Sequence, residues 1–340
     1  METMRYINIP TPGEVQISDM PKPVPHEGEV LLKLLWGGIC GSDLGTYKGT
    51  FLYASYPRIP GHEFSAEIAE VGEGVTGLDV GMVVTSNPYY NCGTCYSCKR
   101  GFVNCCMSLK TLGAQTDGAF RQYLVVPAAR VYDGKGLDAQ ELALVEAFCI
   151  SYHAVKRVAP QKGERVLVVG AGPIGIFALM AARTRGAEVY VSDVSRLRLD
   201  KALSLGAAGV IDLGCADFDT RVRELTDGDG FDVCIECAGL PQTFQNCIDA
   251  TAFRGRIAVV GVGKQNHDFR YTVLQTKELD IHGSRNALKE DFIEVINLVQ
   301  AGVFDLKAII TDVYDFDDAA QAFADLAAKG DTMLKAMIRF

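Results

Sequence analysis

VLVVGAGPIGIFALMAARTRGAEVYVSD, residues 166–193, is the stretch on which the fold turns. Its first four residues form an apolar run suited to a strand buried on both faces. Gly170, Gly172 and Gly175 follow at once in the spacing GxGxxG, Pro173 and Ile174 open a helix, and a second apolar run at 189–192 ends in Asp193. Each glycine has a task in such a turn. Gly170 suits the tight reversal, Gly172 lets a ligand approach the backbone, and Gly175 lets helix pack on strand. The helix N-terminus so presented can seat a pyrophosphate. A carboxylate at Asp193 suits the hydroxyls of an adenosine ribose and would repel a 2′-phosphate. The segment 166–182 is apolar enough to suggest a membrane span, but its three glycines and Pro173 favour a buried strand–turn–helix.

Outward from this segment, short apolar runs recur at 209–212, 231–236, 256–260 and 280–283, with helical stretches between them. That alternation predicts an α/β, doubly wound parallel sheet. Helical patterns at 291–301 and 317–328 and an apolar run at 334–340 follow, a tail expected to return to the first domain. The first 150 residues read differently: they are β-rich and punctuated by glycine and proline, with strands at 30–36, 64–68 and 123–127. The expected domains are 1–150 with 288–340, and 151–287.

At 340 residues, 48% hydrophobic and 22% charged, the chain can bury sizeable cores. A formal charge of −9 argues against a nucleic-acid partner. The N-terminus lacks the basic-then-apolar order of a signal peptide. Eleven cysteines therefore read as thiols kept reduced for metal, in a cytoplasmic protein with no membrane partner.

Four of those cysteines, Cys92, Cys95, Cys98 and Cys106, are spaced as a closed thiolate cage of the structural-zinc kind, with Cys105 an alternative fourth ligand by spacing alone. Cys40 and His62, each in a glycine-flanked turn, form a second candidate, with Glu63 or Glu146 completing the shell and Asp43 placed to orient an imidazole. His153, in an apolar helical stretch, reads as structural. Cys234 and Cys237, a C-x-x-C at a strand end, read as core packing. Arg196 and Arg198 read either as a solvated helix face or as flanking an adenine.

The stretches Gly38-Ile39-Cys40-Gly41-Ser42-Asp43, Gly61-His62-Glu63, the cysteine cluster, Gly170-Ala171-Gly172-Pro173-Ile174-Gly175 and Asp193 together resemble the zinc-dependent medium-chain dehydrogenase/reductase family over the whole chain. Within it the chain is most similar to the sorbitol, threonine and hexonate (L-galactonate or L-gulonate 5-) dehydrogenase branch, through the run 56–64 and through Gly283-Ser284-Arg285-Asn286. The resemblance implies a β-rich GroES-like catalytic domain beside a Rossmann domain, and two zinc ions per chain. It assigns Cys106 as the fourth structural ligand. It assigns Cys40, His62 and Glu63 to a catalytic zinc, with Glu146 exchanging or bridging through water. Ile174, Asp193 and Arg198 would line the adenosine of NAD, and Val260, Gly261 and Val262 its nicotinamide.

Two departures stand out. Relatives carry a proton-relaying histidine where this chain has Gly45, so the relay is expected to run from Ser42 through the cofactor ribose, and a histidine at 45 is expected to do little harm. Ala147 replaces a proline after Glu146, which is expected to loosen the loop holding that carboxylate.

The function expected is oxidation of a secondary alcohol in a small-molecule polyol, sugar or sugar acid. Zinc would act as Lewis acid, Ser42 would accept the proton, and hydride would pass to NAD. Lys48, Arg121, Arg285 and Asn286 are candidates for recognising a carboxylate or hydroxyls. The family's habit implies a homodimer or homotetramer. The alternatives are a threonine-type or small-diol dehydrogenase of the same fold and, more remotely, a non-enzymatic zinc- and nucleotide-binding sensor.

Overall fold

Arg165–Val169 is a strand, Pro173–Arg183 a helix, and Glu188–Asp193 a second strand parallel to the first, in a computed structural model that describes residues 2–330 and 332–340. Six strands share this sheet: β1 (Arg165–Val169), β2 (Glu188–Asp193), β3 (Gly209–Asp212), β4 (Phe231–Glu236), β5 (Thr251–Val259) and β6 (Asp280–Gly283). All pairs are parallel and the order is β3-β2-β1-β4-β5-β6. The order reverses between β1 and β4, the switch point at whose carboxyl edge such sheets bind ligands. Leu167, Val169, Phe231, Cys234 and Ile257 from the strands meet Cys247 and Ile248 from the helix Pro241–Ala250 in one core. β5 starts at Thr251, earlier than the apolar run at 256–260 suggests. Its pairing with β4 shifts between Phe231 and Val233, and the intervening Arg254 takes a left-handed backbone (φ 60°).

This sheet lies in a unit spanning Ala147–Asn286; the other unit comprises residues up to Glu146 together with Ala287–Phe340. The latter holds a mixed seven-stranded sheet. Its long central strand, Glu29–Gly38, pairs antiparallel with Glu63–Val71, with Tyr123–Pro127 and with the C-terminal strand Lys335–Arg339. Alternating residues such as Val30, Leu32, Leu34, Phe64, Ala66 and Ile68 point into one core. The register places Gly38 opposite Glu63, so the turns carrying Cys40 and His62 leave the sheet side by side. A Cβ at Gly38 would fall 2.3 Å from Glu63 Oε2, so a side chain there would push the Glu63 carboxylate out of its position. No helix among the described residues is long and apolar enough to cross a membrane.

Candidate metal centres and cofactor site

Cys40 precedes the helix Gly41–Tyr47, and His62 precedes the strand Glu63–Val71. Asp43, fully buried, ties the two turns together: Oδ2 accepts from the Cys40 N–H and Oδ1 from the Gly61 N–H, both at 3.0 Å. Its Oδ1 lies 3.9 Å from His62 Nδ1, too far for a hydrogen bond. Asp43 thus ties the two turns through the backbone and sets a carboxylate beside the His62 imidazole without a hydrogen bond to it. Cys40, His62 and Glu63 offer ligand atoms within 4.8 Å of one another, and Glu146 falls outside this group among the described residues.

The donor set fits a divalent metal. A half-buried thiol, a buried imidazole and a buried carboxylate converge, and His62 Nδ1 is buried without a hydrogen-bond partner among the described residues, a position that a native structure rarely leaves unexplained. Burial disfavours charge on His62, but Cys40, Asp43 and Glu146 together hold it well above its ordinary value. Burial pushes Glu146 up to about 7, against the lowering by His62.

Two residues of this site carry no motif. Lys335, 2% exposed, forms a buried ion pair with Glu63 and donates to the Ile39 carbonyl. Burial works against its charge, which Glu63 and Cys40 sustain. Tyr89 donates its hydroxyl to Glu146. The only signals in the sequence were a lysine at an inward position of an apolar strand and a tyrosine three residues before the first cysteine of the cluster.

Glu146 itself stands in the first turn of the helix Val145–Val158, with Ala147 buried beside it. The loosened loop expected from Ala147 is therefore a helical turn, and Tyr89 holds its carboxylate. Ser42 is half-buried in the Gly41–Tyr47 helix, its carbonyl accepting from the Thr46 hydroxyl. Gly45, on the same helix, is buried, and a Cβ there would come within 3.2 Å of Phe51 Cβ. A side chain at 45 would ask Phe51 to give by a few tenths of an ångström.

The cysteine cluster lies apart in the same unit. Cys92, Cys95, Cys98 and Cys106 converge, with sulfur separations of 3.5 Å (Cys95–Cys98), 3.6 Å (Cys92–Cys106) and 3.9 Å (Cys95–Cys106). Four thiolates at about 2.3 Å around tetrahedral zinc stand about 3.8 Å apart, so the spacing fits. Donors from Thr94 and Cys95 bring exposed Cys92 down to about 6, favouring the thiolate that a metal needs. Cys105 is exposed and outside the cluster.

In the other unit Gly170 has φ +100°, and a Cβ at Gly175 would lie 1.7 Å from the Gly170 carbonyl oxygen. Gly172, the residue capping the helix Pro173–Arg183, faces open space with nothing within 4 Å of a Cβ. The Ser151 hydroxyl donates to the Ile174 carbonyl and steadies that first turn. The donor-rich N-terminus therefore fits an incoming pyrophosphate. Asp193 is already engaged: Oδ2 accepts from the Ala171 N–H and Oδ1 from the Ser195 N–H. Each oxygen keeps a second lone pair, so the same carboxylate that clamps the turn can also receive ribose hydroxyls. Arg196 forms an exposed ion pair with Asp200, the solvated-face reading, while Arg198 is half-buried on the same helix. Val260 and Gly261 follow β5 and donate their N–H groups to the Glu236 carbonyl, and Val262 is exposed beyond them.

The substrate candidates are placed less pointedly. Lys48 is exposed at the end of the Gly41–Tyr47 helix, and Arg121 donates Nε to the Gly118 carbonyl. Arg285 is exposed after β6, and Asn286 adopts φ 50°. His153 is buried in its helix, and burial pushes the Cys237 and Cys247 thiols up, which keeps them inert.

Residues 26–135 match the alcohol dehydrogenase GroES-like domain, and residues 173–301 match the zinc-binding dehydrogenase family. The chain is 34% identical to L-galactonate-5-dehydrogenase of Escherichia coli (strain K12), with all of both chains covered. The chain belongs to the zinc-dependent medium-chain dehydrogenase/reductase family. This dehydrogenase is also 35% identical to sorbitol dehydrogenase of Halalkalibacterium halodurans, over 92% of each chain. It is 36% identical to L-threonine 3-dehydrogenase of Pyrococcus furiosus, over 92% of this chain and 91% of that one. Among solved structures, an alcohol dehydrogenase from E. coli CFT073 complexed with NADH superposes with a TM-score of 0.93 at 31% identity, covering 99% of both chains. The family's GroES-like and Rossmann-like halves are the two sheets described above, and the dehydrogenase is an oxidoreductase acting on a small molecule.

Proposed function

We propose that this dehydrogenase oxidises a secondary alcohol of a sugar acid or polyol, a hexonate in preference to a simple alcohol, with NAD as hydride acceptor. The observation that carries the reading is the convergence of half-buried Cys40 with buried His62 and Glu63, with Glu146 held by Tyr89 and Ser42 on the helix that Cys40 starts. Cys40, His62 and Glu63 would hold a zinc ion, with Glu146 in reserve. A bound zinc supplies Lewis acidity, lowering the pKa of an alcohol toward neutrality.

The remaining work falls to the chain. Ser42 would accept the alcohol proton, and Gly45, standing where a histidine is found in relatives, offers no side chain to pass it on. Lys335 fixes one oxygen of Glu63 and Tyr89 one oxygen of Glu146, so both carboxylates are held in place beside the proposed metal site. The glycine turn binds the pyrophosphate, and Asp193 selects NAD by accepting from the ribose and repelling a 2′-phosphate. Cys92, Cys95, Cys98 and Cys106 would bind a second, structural zinc. Similarity to the L-galactonate enzyme over the full length supports the hexonate class, and Arg285 offers a guanidinium that can pair with a carboxylate.

The test is NADH formation by the zinc-loaded enzyme on L-galactonate, L-gulonate, sorbitol, threonine, a vicinal diol and ethanol. The highest kcat/KM is expected on a hexonate. A higher value on threonine, on the diol or on ethanol would overturn the substrate class, and a preference for NADP would overturn the role of Asp193.

A further inference from the structure

Glu236 ends β4, the strand beside which the sheet order reverses, and is 1% exposed. Its Oε1 accepts from the N–H groups of Ala238 (2.9 Å) and Gly239 (2.8 Å) and from the Thr243 hydroxyl (2.7 Å). Its main-chain carbonyl accepts from Val260 (2.9 Å) and Gly261 (3.0 Å). Oε2 lies against Gly261, where a Cβ would come within 2.5 Å of it and 2.2 Å from the Gly239 nitrogen. Gly239 in turn abuts the Val262 backbone, and Ala238 packs over Gly170, with 3.2 Å between the Ala238 Cβ and a Cβ built on the glycine. One buried carboxylate thus fixes the loop after β4 against the loop after β5, beside the glycine turn after β1.

A buried carboxylate is costly unless its oxygens are paired, and here one oxygen collects three donors while the other faces the neighbouring loop. Charge-assisted bonds of this kind are about twice as strong as neutral ones and fix geometry accordingly. The adenosine side has its own fixtures, the Gly170–Gly175 turn and Asp193, which owe no hydrogen bond to Glu236.

We propose that Glu236 is a positioning residue for the nicotinamide half of the cofactor: it sets residues 237–239 and 260–262 as the platform that receives the ring. The proposal rests on the NAD reading above. It separates the binding site into two halves with different supports, so that damage at Glu236 is felt by the ring and not by the adenosine.

ADP-ribose, which is NADH without the nicotinamide ring, distinguishes the halves. Dissociation constants for NADH and ADP-ribose are measured on zinc-loaded wild type, Glu236→Ala, Glu236→Gln and Gly261→Ala, together with the emission of bound NADH. Glu236→Ala and Gly261→Ala, which press or empty the same contact from opposite sides, are expected to weaken NADH at least about tenfold and ADP-ribose by less than about threefold. Glu236→Gln keeps an acceptor oxygen and is expected to recover most of the NADH affinity. If Glu236→Ala does not fold, the Gly261→Ala and Glu236→Gln measurements carry the test. Equal losses for both ligands, or no loss for either, would overturn the proposal. A wild-type enzyme that binds neither ligand would overturn instead the NAD reading beneath it.

Discussion

At the residue scale, Lys335 governs what Glu63 can do. Both side chains are 2% exposed, so each compensates the other for lost hydration in the metal-free protein. Removing one partner of a buried pair costs about 3–5 kcal/mol, because the remaining charge is stranded. A metal on Glu63 would supply the missing counter-charge. Lys335→Met is therefore expected to lower the melting temperature of metal-free enzyme strongly and that of zinc-loaded enzyme much less. Equal shifts in calorimetry of the two forms would mean that Glu63 does not meet the metal. Ser42 makes the complementary case. Its side chain is half-buried and anchors nothing in the fold, so Ser42→Ala is expected to leave the melting temperature unchanged while reducing kcat about 10²-fold, the usual scale of a general base. Unchanged turnover would show that water takes the alcohol proton directly.

At the scale of elements, the strand–turn–helix at β1 is the least tolerant piece. A methyl at Gly175 would sit 1.7 Å from the Gly170 carbonyl oxygen, a clash with backbone that no rotamer relieves. Gly175→Ala is expected to abolish binding of NADH and ADP-ribose alike, and titration of both ligands checks this. The cysteine lobe behaves differently, because metal binding there is folding energy for a local loop. Cys95→Ser should lose one zinc by elemental analysis and lower the melting temperature while leaving the second zinc in place; loss of both metals together would refute two independent sites.

These elements are also where the sequence is most legible. The glycine turn, the four cysteines and the pair Cys40/His62 are local patterns, each placed by a few neighbouring residues, and the alternation of runs and helices gave the α/β class. What could not be read comes from long-range pairing. Tyr89 meets Glu146 across 57 positions, and Lys335 reaches the Ile39 carbonyl across 296; no periodicity encodes either.

At the scale of the whole molecule, the chain's last strand carries a load out of proportion to its length. Lys335–Arg339 lies between Ile310–Asp315, parallel to it, and Glu29–Gly38, antiparallel to it. It is thus an internal strand of the sheet, and its removal would leave backbone donors and acceptors unpaired on both sides. Ala336, Met337 and Ile338 are fully buried, and burial of the two larger side chains contributes roughly 1.5–3 kcal/mol each. The same strand holds Lys335 on Glu63, next to the turn that presents Cys40. A chain ending at Leu334 should therefore lose the catalytic metal and much of its stability, even though no proposed zinc ligand has been touched. The Rossmann unit contains none of these residues, so its turn and Asp193 should still bind ADP-ribose in the truncated protein. Zinc content, melting temperature and ADP-ribose affinity, measured on the same preparation, check all three parts. Retention of the catalytic zinc after truncation would show that Cys40, His62 and Glu63 are held in place by Asp43 and their own two turns, without help from the C-terminal strand.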